Sequence, residues 1–166
     1  MGRKIVSKQF NSSDCVVCGY RNAFSLGARF YNSDTGEVIA VFVPEDIHQG
    51  YPGRLHGGMA ASILDETIGR AICIHDENMW GVTVELELKY RKPTPTGVEL
   101  KAVGRITHNS KRIFEGSGEL LLPDGSVAVE AKGRYFKIPM KDMVTPAFIE
   151  NDWQYIAEDG VEELEL

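Results

Sequence analysis

The chain has little of what would set it apart from an ordinary globular protein. None of its apolar runs approaches the roughly 20 residues that a membrane span needs. Its first residues, Met1-Gly2-Arg3-Lys4-Ile5-Val6-Ser7, hold no apolar stretch of the secretory kind, and Val6 stands where N-myristoylation needs Ser or Thr. No repeat or low-complexity linker interrupts the 166 residues, a length that suffices for one domain with a proper core. Positive charge is not in surplus. Eighteen Lys and Arg face 24 Asp and Glu, for a net charge of −6. Seven of those acids, Glu150, Asp152, Glu158, Asp159, Glu162, Glu163 and Glu165, follow Phe148 with no Lys or Arg among them, so the body holds 18 basic against 17 acidic residues. A near-neutral body argues against general nucleic-acid binding, which needs a basic surface. The expected partner is a small molecule, with neither nucleic acid nor membrane.

Cysteine is scarce too. Cys15-x-x-Cys18-Gly19 is a pair and Cys73 stands alone. The pair is half a zinc site, and no spacing points to two more ligands in His48, His75 or a second subunit, so no metal is expected. A redox role would want an apolar strand before the motif, and the residues there are polar. Reduced thiols fit a cytoplasmic location.

Turn residues divide the remainder. Residues 1–14 are polar and expected to be loose, 15–140 form the folded body, and 141–166 form a solvated acidic tail. Residues 27–33 and 36–43 flank Asp34-Thr35-Gly36 and read as a hairpin. A Pro/Gly loop follows, then a helix from about residue 57 to 74. Residues 82–90, 98–107, 113–122 and 127–138 alternate as strands, with Asp124-Gly125 turning the last pair. One long helix is too few for a parallel sheet, which needs a helix per crossover. The order predicts an α+β fold, a curved antiparallel sheet wrapped around one central helix. The helix is apolar over most of its circumference, as a central helix must be.

The chemistry concentrates where that helix begins, in Leu55-His56-Gly57-Gly58-Met59-Ala60-Ala61-Ser62-Ile63-Leu64-Asp65-Glu66. Free N–H groups at a helix start attract negative charge. The small residues there let a strand or a ligand carbonyl come close. Glu66 precedes Arg70 by four residues, the spacing of a solvated helix pair. Asp65 shares its stripe with Gly58, Ala61, Ile68, Gly69 and Ile72, with no base within one turn. A carboxylate placed there is costly unless it is hydrogen-bonded or has a task in proton transfer or attack. His56 reads as a loop anchor ahead of an acid or base.

Four pieces in order carry a resemblance: Cys15-x-x-Cys18-Gly19-x-x-Asn22; Gln49-Gly50-Tyr51-Pro52-Gly53-x-x-His56-Gly57-Gly58; Leu64-Asp65-Glu66; and Val84-Glu85-Leu86-x-x-Lys89-Tyr90-Arg91-Lys92-Pro93. Together they resemble the hotdog-fold acyl-CoA thioesterases of the PaaI-like group. The resemblance implies a hotdog domain over 15–140, with five or six strands around the helix and active sites at the interface of a homodimer or tetramer. It implies Asp65 as catalytic carboxylate and the Gly57 N–H as oxyanion donor. It implies His56 as the loop-shaping residue and Thr83 as the hydroxyl that positions water. Gln49, Gly58, Arg91 and Lys92 are the candidate substrate contacts, with Lys111 and Arg112 as further candidates for the coenzyme A phosphates. Some related enzymes carry an Asn six residues before the His; here Gly50 takes that place and the adjacent Gln49 is the candidate substitute. Coenzyme A enters as part of the substrate, with no separate cofactor. Gly57 and Asp65 stand about 12 Å apart along one helix, so donor and carboxylate are expected from different subunits. Two other readings stay open: a hotdog hydratase or dehydratase, and a non-catalytic acyl-CoA-binding dimer.

Overall fold

A computed structural model describes residues 1–156 and 159–166; Glu158, counted in the acidic tail, lies outside the described residues. In chain order the strands are β1 (Gly2–Lys8), β2 (Asn11–Ser12), β3 (Arg29–Ser33), β4 (Val38–Phe42), β5 (Met79–Tyr90), β6 (Leu100–Asn109), β7 (Ile113–Leu121), β8 (Val127–Pro139), β9 (Trp153–Gln154) and β10 (Glu163–Glu165). The helices are α1 (Gly57–Gly69) and α2 (Pro146–Asn151). An eight-stranded antiparallel sheet runs β10-β1-β3-β4-β6-β7-β8-β5, and β2 pairs separately with β9. Among the described residues, no helix is long and apolar enough to cross a membrane.

The six strands from β3 to β5 are the sheet that the alternation predicts. Gly36 and Gly125 hold the two turns at φ 78° and 79°, a left-handed conformation that glycine adopts without strain. The two further strands come from segments expected to be loose or solvated. The reason lies on the outer face of the sheet, where Tyr31, Ile39 and Val41 need cover and receive it from Ile5 of β1 and from Val161, Leu164 and Leu166. That cover has no strong period of its own, because it is supplied by single residues from two chain ends.

On the inner face α1 is buried through Ala60, Ile63, Leu64, Thr67, Ile68 and Gly69. It tightens into a 3-10 turn over Arg70–Ile74, where one continuous α-helix is expected. Helix and sheet approach closely because glycines lie beneath α1. A Cβ on Gly104 would stand 2.7 Å from the Thr67 carbonyl oxygen, and one on Gly116 would stand 2.5 Å from Ile68 Cγ2. β5 ends the sheet, so one edge of this 12-residue strand is unpaired among the described residues.

Candidate active site

The start of α1 is built by His56. Its backbone is extended (φ −61°, ψ 136°), and its Nδ1 accepts the Gly58 N–H at 2.9 Å. Its carbonyl accepts the N–H groups of Met59 and Ala60 at 2.9 and 3.1 Å. With the His56 N–H donating to the His48 carbonyl at 2.9 Å, three of the four N–H groups that a helix start leaves over, those of His56, Gly58 and Met59, are satisfied. The fourth, on Gly57, has no acceptor among the described residues. An accepting Nδ1 leaves the ring proton on Nε2, so in this geometry His56 caps the helix. The Gly57 carbonyl accepts the Tyr90 hydroxyl at 2.7 Å, which ties the helix start to the far end of β5. Gln49 stays within its own loop, its Oε1 accepting the Gly53 N–H at 3.0 Å. A side chain at Gly50 would press on the His56 ring, with Cβ 3.2 Å from Cδ2.

Two turns along α1, Asp65 is half-buried beneath β5 and β8. Thr83 and Tyr135 are register partners across these strands, so both hydroxyls point at the same helix turn. Thr83 Oγ1 lies 2.9 and 3.0 Å from the two Asp65 carboxylate oxygens. The Tyr135 hydroxyl donates to Asp65 Oδ1 at 3.1 Å. Burial raises the Asp65 pKa above the ordinary carboxylate value, and the hydrogen bonds from Thr83 and Tyr135 only partly offset it. The register of β5 shifts just past Thr83; such bulges re-aim side chains beside active sites.

Asp65 and Thr83 open onto a cavity of about 410 Å³ whose apolar wall includes Trp80, Val82, Val144, Phe148 and Trp153. Trp80 meets Trp153 edge-on at 5.2 Å and Phe148 at 6.3 Å. Much of this wall belongs to the segment expected to be a solvated tail. A larger cavity, about 860 Å³, lies alongside but holds none of the candidate catalytic side chains.

The structure therefore separates the expected site into two groups. His56, Gly57, Gly58 and Gln49 lie at the helix start, near the end of β5 that leads into Arg91 and Lys92. Asp65 and Thr83 lie at the cavity, at the other end of β5. Arg91 is paired with Glu130 at 2.9 Å and both are about half exposed. Lys92 is exposed. Lys111 and Arg112 sit in the β6–β7 turn, beside Ile113 and its register partner Phe136, at the Thr83 end. Tyr135 and Tyr90 are site residues that the sequence reading missed. Tyr135 left a signal: it falls on the inward positions of β8, and a buried Tyr hydroxyl needs a polar partner.

One expectation is corrected. The Glu66–Arg70 pair forms at 2.8 Å, but it is not solvated, since Arg70 is only 7% exposed. The Cys15–Cys18 segment and residues Gln9 and Phe10 lie against the pair. Arg70 donates to the Phe10 carbonyl at 2.8 Å and lies 4.1 Å from the Phe30 ring centroid.

Comparison with known proteins agrees with this architecture. Residues 52–129 match the model of the thioesterase superfamily. Over 68 residues, 41% of this chain, it is 37% identical to the acyl-coenzyme A thioesterase THEM4 of Rattus norvegicus, of which it spans 28%. The solved structure of a thioesterase superfamily protein superimposes with a TM-score of 0.69 at 27% identity, over 75% of this chain and 60% of that one. The chain thus spans less than two thirds of the length of either relative. The PaaI protein of E. coli, from the phenylacetic acid degradation operon, shares the fold. Its TM-score is 0.62 at 18% identity, over 70% of this chain and 83% of that one.

Proposed function

From a chain whose residues 52–129 match the thioesterase superfamily and whose sheet wraps one central helix, we propose an acyl-CoA thioesterase that hydrolyses the thioester to free acid and coenzyme A. The observation that carries the proposal is the grip of Thr83 and Tyr135 on a half-buried Asp65 at the mouth of an apolar cavity. A structural carboxylate would be spent within the fold; this one faces a space that fits an acyl chain. The name of the rat relative supports coenzyme A as the thiol half.

In the proposed reaction the acyl carbonyl points at the free Gly57 N–H. That dipole stabilises the charge that develops as the carbonyl becomes tetrahedral. Asp65 takes a proton from the attacking water or attacks the carbonyl itself, and Thr83 and Tyr135 hold its carboxylate in place. His56 fixes the helix start, Gln49 shapes the loop before it, and Gly58 keeps the approach open. Arg91 and Lys92 are the proposed contacts for the coenzyme A phosphates. No separate cofactor takes part.

Gly57 and Asp65 of one chain are too far apart to grip one carbonyl, at about 12 Å along the helix. We therefore build the site from two subunits. The unpaired β5 edge, with Val82, Val84 and Tyr90 exposed, supports pairing of two sheets. The three free cysteines fit a reducing, cytoplasmic setting.

The test is release of free thiol from short, medium and aromatic acyl-CoAs by wild type and Asp65→Asn. Turnover by the wild type, its loss in Asp65→Asn and retained acyl-CoA binding are expected. A wild type that hydrolyses none of the panel, or an Asp65→Asn variant as active as wild type, refutes the proposal.

A further inference from the structure

The function proposed above makes no use of the Cys15-x-x-Cys18 motif, yet the fold gives it a third member. We propose that Cys15, Cys18 and Glu66 form a binding site for a thiophilic divalent cation, zinc by its chemistry. The two sulfurs and a Glu66 carboxylate oxygen all lie within 4.8 Å of one another. Cys15 Sγ is 3.6 Å from Oε2 and Cys18 Sγ is 3.7 Å from Oε1. Around a tetrahedral zinc with Zn–S of about 2.3 Å and Zn–O of about 2.0 Å, the sulfur–oxygen edge is about 3.5 Å. Each sulfur already stands at nearly that spacing from one of the two Glu66 oxygens, Cys15 from Oε2 and Cys18 from Oε1.

The local backbone fits a thiolate pair. The Val17 N–H donates to Cys15 Sγ at 3.3 Å, and the Gly19 N–H donates to the Cys15 carbonyl at 2.8 Å. A Cβ at Gly19 would lie 2.3 Å from that carbonyl oxygen, so this tight turn requires glycine. It presents both sulfurs to the same carboxylate.

Charge balance supplies a second, independent argument. Two thiolates and a carboxylate around a dication leave one negative charge, costly to bury unless paired. Arg70 provides the pairing charge, with Nη2 3.2 Å from Cys18 Sγ and 2.8 Å from Glu66 Oε1. Oε1, beside Cys18 Sγ, also faces Arg70, which leaves Oε2, beside Cys15 Sγ, as the freer oxygen for the cation. Partners of this kind orient metal ligands and tune their affinity.

His48 is committed elsewhere, its ring nitrogens lying 2.9 Å from the Glu45 N–H and from the Phe24 carbonyl. Three protein ligands leave a fourth position for solvent. Cys15 and Glu66 line the same cavity as Asp65, so that position opens there. The ion would pin the 15–19 turn to α1 one residue from Asp65. The proposal does not depend on thioesterase activity.

The experiment uses the full chain, purified reduced from zinc-supplemented medium and desalted, with metal content measured by mass spectrometry and zinc then exchanged for cobalt. One zinc per chain is expected. The cobalt form should show sulfur-to-cobalt charge-transfer bands in the near ultraviolet and the visible bands of a tetrahedral site. Cys15→Ser and Glu66→Gln should each weaken zinc binding by about 100-fold or more. Glu66→Gln removes the counter-charge of Arg70, so Cys15→Ser, with circular dichroism as the check on folding, remains decisive if Glu66→Gln misfolds. Trace zinc with no cobalt bands in the reduced wild type overturns the proposal. So does full zinc occupancy in Cys15→Ser, or a Cys15–Cys18 disulfide that takes up no metal after reduction.

Discussion

Replacing Gly57 by proline removes a single hydrogen-bond donor and little else. Proline lacks the N–H, and the first position of a helix is where that loss is tolerated best. The backbone already suits it. Gly57 is not among the glycines with positive φ, and His56, at ψ 136°, lies in the extended region that a residue before proline requires. A Cβ at position 57 would meet the Tyr90 ring at 3.5 Å, an ordinary contact. The N–H groups of Gly58, Met59 and Ala60 keep their acceptors in His56. Stability should therefore hold or rise by about 0.4–1 kcal/mol through the stiffer unfolded chain. Loss of an oxyanion donor costs about 2.7–4 kcal/mol, or roughly 100- to 1,000-fold in kcat. Because the bond strengthens in the transition state, kcat and kcat/KM should fall together while KM changes little. Thiol release under steady-state conditions gives the rates, and a thermal melt gives the stability. A folded Gly57→Pro variant with kcat within about threefold of wild type would refute the role of this N–H.

Two stability predictions follow from the packing and the charges. Gly104→Ala would push a Cβ to 2.7 Å from the Thr67 carbonyl oxygen. Helix backbone cannot yield as a side-chain tip can, so a loss of about 1–3 kcal/mol is expected, read as a Tm lower by about 2–4 °C per kcal/mol; an unchanged Tm would contradict the close approach of α1. Glu37 is the carboxylate shared by an ion-pair cluster with Arg3 and Arg105. Burial alone would raise its pKa, but hydrogen bonds from Arg3, Arg105 and Thr35 outweigh burial and hold it below the ordinary value. A carboxylate with a lowered folded-state pKa adds stability that is complete above its unfolded pKa of about 4.3 and is lost as pH falls through the folded value. Denaturation of wild type and Glu37→Gln should thus differ near neutrality and converge in acid. A gap that is independent of pH would show that the cluster does not stabilise through this charge.

The parts of the fold visible in the sequence are those in which one residue period serves one buried face. α1 and the β5–β8 strands obey that rule, while the β3–β4 hairpin, buried on both faces, is marked instead by its Asp34-Thr35-Gly36 turn. β1 and β10 do not, because their cover of Tyr31, Ile39 and Val41 is shared between chain ends far apart in sequence. The same limit explains Glu66 and Arg70. Four-residue spacing shows that they can pair, but only the fold shows that the Cys15–Cys18 turn lies over them. At the site, Asp65 stood out because an acid on an apolar stripe needs a reason. Its partner Tyr135 was marked by an inward strand position, whereas the aromatic wall from Phe148 and Trp153 was hidden in a segment whose charge suggested solvent.

In the proposed dimer, two incomplete sites on one chain become complete ones across a subunit interface. The measurement is activity after Asp65→Asn and Gly57→Pro chains are co-refolded in equal amounts. Each homodimer lacks one essential group in both sites. A mixed dimer carries both lesions in one site and neither in the other, so random pairing restores about a quarter of wild-type activity. Recovery near that level is the predicted result. Mixed dimers no more active than the two variants alone would contradict the claim, placing donor and carboxylate in sites within a single chain.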